Sequence, residues 1–67
     1  MKRKEMFVLI GTAVKKLQRE ASISEDDATT IILAGLRDFP DYLVMDPMGL
    51  PSILEAIITV NTSFKLN

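Results

Sequence analysis

A chain of 67 residues that contains neither cysteine nor histidine has few ways of holding itself together. Domains near this length bury only about 60% of the surface that their unfolded chain exposes, and small folds commonly add disulfides, a metal or a partner chain. Disulfides are excluded here, and the softer metal ligands are missing. What remains is apolar burial, and 48% of the residues are apolar. That is more than so short a chain encloses by itself, which predicts burial against a second chain, either a copy or a target. At 25% charged and 6% aromatic, the composition is that of a folded domain rather than a disordered tail. The length allows one domain.

The net charge of −1 hides an uneven distribution. Residues 1–19 carry Lys2, Arg3, Lys4, Lys15, Lys16 and Arg19 against Glu5 alone, whereas residues 20–55 carry eight acids against Arg37. A basic first third and an acidic middle are complementary within one fold, or between two copies. Lys2-Arg3-Lys4 ahead of the apolar run Met6 to Val14 imitates a secretory signal, but the charged stretch Lys15 to Glu20 does not suit cleavage. These residues are read as a helix of the mature protein. No stretch approaches the ~20 apolar residues that span a bilayer. Absence of cysteine fits a reducing compartment, so a cytoplasmic location and no membrane partner are expected.

Apolar periodicity predicts three helices, over residues 2–21, 24–38 and 52–61, with a loop over 39–51. In the first, Met6, Leu9, Ile10, Ala13, Val14 and Leu17 recur at helical spacing, with Phe7 and Ala21 at the edge of that face. Val8 is an apolar intruder on the basic side, and Gly11 lies there at a cost in propensity and with no evident packing role. Ser22 to Asp27 reads as a stop and restart: Ser24 is the expected N-cap, and Glu25, Asp26 and Asp27 suit the positive end of a helix dipole. Ile23 stands where it could staple against Ala28. The second helix buries Ala28, Ile31, Ile32, Gly35, Leu36 and Phe39, and a glycine in mid-face predicts the close approach of another helix.

Pro40 ends that helix. All three prolines fall between residues 40 and 51, and Asp46-Pro47-Met48-Gly49 suits a type I turn. Tyr42 to Met45 reads equally as a short strand or one helical turn. Ser52-Ile53-Leu54-Glu55 matches a capping box and sets the expected start of the third helix. Its apolar positions cover most of the circumference, leaving only Ser52, Glu55, Thr59 and Thr62 polar, so it is expected to be central. The competing reading makes Ile57 to Leu66 a β segment. The fold expected is therefore all-α, a compact three-helix domain completed by dimerisation through the third helix and part of the first. The alternative is α+β with a short C-terminal β segment.

Enzymatic chemistry finds little support. The usual general base and thiol nucleophile are absent, and Ser22, Ser24 and Ser52 are better used as caps. Asp38, Asp41 and Asp46 lack the spacing of a calcium loop, and three isolated glycines make no phosphate cradle. A non-enzyme without cofactor or metal is expected. The function expected is that of a small regulator that binds another protein, as an inhibitor, adaptor or antitoxin-like partner. Its face is the loop: Tyr42, Val44, Met45 and Met48, with Asp41 and Asp46 at the rim. Tyr and Met are enriched in interface cores, and a loop stiffened by prolines loses less entropy on binding. The runner-up is a nucleic-acid-associated regulator that contacts phosphates through Lys4, Lys15, Lys16 and Arg19.

Overall fold

The computed structural model describes residues 1–63 and contains four helices, α1 (Arg3–Ala21), α2 (Glu25–Leu36), α3 (Asp41–Val44) and α4 (Gly49–Ser63). The all-α expectation holds. Residues 57–63, the larger part of the alternative β segment, are helical, and no strand occurs among the described residues; Phe64 to Leu66 lie outside them. The reason is burial. Ile57 and Ile58, although β-branched, both face the core at helical spacing, and packing of an apolar face outweighs a few tenths of a kcal/mol of propensity. None of the described helices is long and apolar enough to cross a membrane.

α1 stops where Ser22 enters the left-handed region (φ 56°, ψ 48°), its N–H and that of Ile23 donating to the Gln18 carbonyl. After this three-residue connection α2 starts on the expected cap: the Ser24 hydroxyl accepts from the Asp27 N–H at 3.1 Å. Such a short link makes α1 and α2 antiparallel neighbours. α4 then runs parallel to α1. Met1 and Lys4 share a groove with Pro47 ahead of α4, and further along Lys16 pairs with Glu55 at 3.0 Å.

The core lies between α1, α2 and α4. It comprises Ala13, Val14, Leu17 and Ala21 from α1, Ala28, Ile32 and Leu36 from α2, and Leu50, Ile53, Leu54, Ile57 and Ile58 from α4, with Met6, Leu9, Ile10, Ile23, Ile31, Leu43 and Val44 half-buried around it. The expected faces of α1 and α2 are thus largely realised. Gly35 is a point of close approach, as its mid-face position predicts: a Cβ there would stand 2.6 Å from Ile57 Cδ1.

Three expectations about α2 and α4 need correction. Phe39 is not core but 37% exposed. With Pro40 next in the chain, the last turn tightens, Asp38 N–H donating to Gly35 and Phe39 N–H to Leu36, and this carries Phe39 off the buried face. The helix expected from Ser52 begins at Gly49 instead. Ser52 caps nothing, its hydroxyl donating to the Met48 carbonyl, and Glu55 reaches across to Lys16. Finally, α4 is not enclosed all round. Ala56 and Val60 are exposed beside Ser52, Glu55, Thr59 and Ser63, so its outer stripe is wider and more apolar than expected.

Candidate protein-binding face

The segment between α2 and α4 folds as one helical turn rather than an open loop. Pro40 fixes the entry to α3, and its carbonyl accepts from Leu43 and Val44 while Asp41 accepts from the Met45 N–H at 2.9 Å. Residues three apart share a side of such a turn, so Tyr42 and Met45 point together. They point outward: Tyr42 is 74% and Met45 39% exposed. Leu43 and Val44 face the other way and pack against the core. Of the expected binding residues, Val44 is therefore turned inward and anchors α3.

Asp46 has a structural task. Its carboxylate accepts from the N–H groups of Met48 (3.0 Å) and Gly49 (2.6 Å), and its carbonyl accepts from Leu50. This is N-cap bonding, with Pro47 in the position where a missing N–H costs nothing. The sequence Asp46 to Gly49, expected as a free-standing turn, is the lead-in to α4. Gly49 also lies directly beneath α3, where a Cβ would stand 2.6 Å from the Leu43 carbonyl oxygen. The cap and this backbone approach fix α3 to the start of α4. Met48 projects from the junction, 81% exposed, and Asp41 is exposed.

Beside this junction runs an open groove of about 520 Å³, lined by Met1, Lys4, Glu5, Val8, Leu9 and Pro47. The basic start of α1 thus borders the lead-in to α4, a juxtaposition that no local sequence signal reports. A second groove, of about 290 Å³, lies between α2 and α4 and includes Phe39 and Val60. Among the described residues no group of three or more acidic side chains stands close enough to hold a metal ion, so Asp38, Asp41 and Asp46 do not gather. On the basic side, Lys4, Lys15 and Arg19 are exposed, while Lys16 is half-buried and occupied by Glu55.

Sequence reasoning missed Phe39, Phe7, Leu33 and Val60 as exposed apolar groups. The available signal for Phe39 was Pro40 directly after it. Comparison with protein-family profiles, curated protein sequences and solved structures returned no match.

Proposed function

We propose that this chain is a small non-enzymatic regulator that acts by binding another protein through the α3 face. The observation that supports this most is the contrast at that face between exposed side chains and a fixed backbone. Tyr42 and Met48 are the most exposed of the large apolar residues on α3 and its flanks, yet the chain beneath them is held by the Asp46 cap and by the Gly49 approach. Exposed aromatic and methionine side chains on an ordered support bind with little further loss of conformational entropy. Asp41 at the rim adds a charge that can select among partners. Self-association remains part of this reading.

The test is co-purification from cells that make the protein. Tyr42→Ala with Met45→Ala is expected to abolish recovery of the partner while the far-UV helical signal is unchanged. Undiminished recovery with the double variant would contradict the proposal.

A further inference from the structure

α1 is one continuous helix, but its two halves are held very differently. Its buried residues are Ala13, Val14, Leu17 and Ala21, all in the second half. From Arg3 to Thr12 no residue is buried, and Met6, Leu9 and Ile10 are half-buried against the core. The helix start is weak as well. Lys2 at the N-cap makes no side-chain capping bond, and Lys2, Arg3 and Lys4 stand, with Glu5 as the acid of the first turn, at the end of the dipole that favours anions. Where the halves meet, Gly11 is exposed, and a Cβ there would meet nothing within 4 Å. Glycine weakens a helix interior relative to alanine, and no neighbour in this chain needs the space. Thr12, next in the chain, donates its hydroxyl to the Val8 carbonyl at 2.9 Å, a bond that favours bending of the helix. Beyond it α1 is pinned, because Lys16 pairs with Glu55 of α4 at 3.0 Å.

We propose that residues 3–11 form a strap that opens as a unit on a hinge at Gly11 and Thr12, while the second half of α1, α2 and α4 stay folded. Segments that open locally are those with few buried contacts, and here burial, capping, charge and helix propensity all weaken the same half of one helix. The strap lies over the start of α4. Leu9 lines one groove with Pro47 and another with Pro51 and Leu54, and Leu50, in the chain between those contacts, has no exposed surface. Opening therefore bares an apolar seat on the first turns of α4, around Leu50 and Leu54. The Asp46 cap holds that end of α4 wound when the strap lifts. Gly49 packs beneath α3 at the same end, so the seat adjoins α3. Gly11, which has no packing role in the closed domain, is on this account the hinge. The device stands independently of any partner at the α3 face.

Amide hydrogen exchange of the full chain, followed by NMR in a series of low urea concentrations, tests the proposal. Relative to their intrinsic rates, the N–H groups of residues 7–11 are expected to exchange at least about tenfold faster than those of residues 17–21. Their rates are expected to depend little on urea, because local opening exposes little surface, whereas residues 17–21 follow the steeper slope of global unfolding. Gly11→Ala, for which the chain has room, is expected to slow exchange at residues 7–11 by roughly fivefold. Ile32→Val removes one methyl group from a side chain with no exposed surface. It is expected to speed exchange at residues 17–21 and to leave residues 7–11 unchanged. One protection and one urea slope shared by both halves of α1 would overturn the proposal. So would a Gly11→Ala chain with unaltered exchange at residues 7–11, or an Ile32→Val chain in which both halves speed up equally.

Discussion

Gly35 and Ile57 occupy one another's space: a Cβ at position 35 would lie 2.6 Å from Cδ1 and 2.9 Å from Cγ1 of Ile57. The absent side chain on α2 is what lets α4 approach it. Gly35→Ala gains helix propensity of about 1 kcal/mol but forces Ile57 aside, and overpacking of this kind costs about 1–3 kcal/mol. The expected net effect is a modest loss of stability in urea unfolding. In an Ile57→Ala background the same substitution is expected to be neutral or stabilising, and a double-mutant cycle measures that coupling. Equal effects in both backgrounds would contradict the close approach.

The Asp46 cap makes a second prediction. Asp46→Ala leaves the N–H groups of Met48 and Gly49 without their acceptor and is expected to cost about 1–2 kcal/mol, with Asp46→Asn close to wild type. Gly49→Ala is expected to cost about 1–3 kcal/mol, because the atom it meets is a backbone carbonyl that cannot rotate away. Thermal unfolding followed by circular dichroism checks both.

Ser22 holds a left-handed conformation, φ 56°, that a side chain disfavours by about 1–2 kcal/mol. Ser22→Gly is therefore expected to raise stability by about 1 kcal/mol, read as a higher midpoint in urea with unchanged slope. A loss of stability would mean that the α1 terminus is not built as described.

Exposure separates the candidate face from the core. Tyr42→Ala and Met48→Ala are expected to alter stability by no more than about 0.5 kcal/mol. Leu17→Ala and Leu50→Ala, at residues with no exposed surface, are expected to cost about 2–5 kcal/mol. Comparable losses at the two pairs of sites would place Tyr42 and Met48 in the core and remove them from any interface.

Local signals with one physical interpretation were readable in the sequence. Ser24 before three acids reads as a cap, and Gly35 in the middle of the apolar face of α2 reads as a point of close approach; both hold. Signals with two interpretations were not. Asp46-Pro47 and Ser52-x-x-Glu55 both announce a helix start, and the choice fell to Asp46 because the earlier start buries Leu50 and frees Glu55 for Lys16. Phe39 had the periodicity of a core residue, but the restriction imposed by Pro40 prevailed. At the candidate face, Tyr42 and Met48 were identifiable as apolar residues among turn formers. The inward turn of Val44 was not, because it depends on how one helical turn is set onto α4.

The central claim, that the α3 face contacts another protein, is tested most directly by placing a photo-crosslinking amino acid in turn at positions 42, 48 and 59 in cells that make the protein. Thr59, exposed on the outer stripe of α4, serves as the control. Crosslinks to another polypeptide from positions 42 and 48, and none from 59, are predicted. No crosslink from 42 and 48, or the same products from all three positions, would contradict the account.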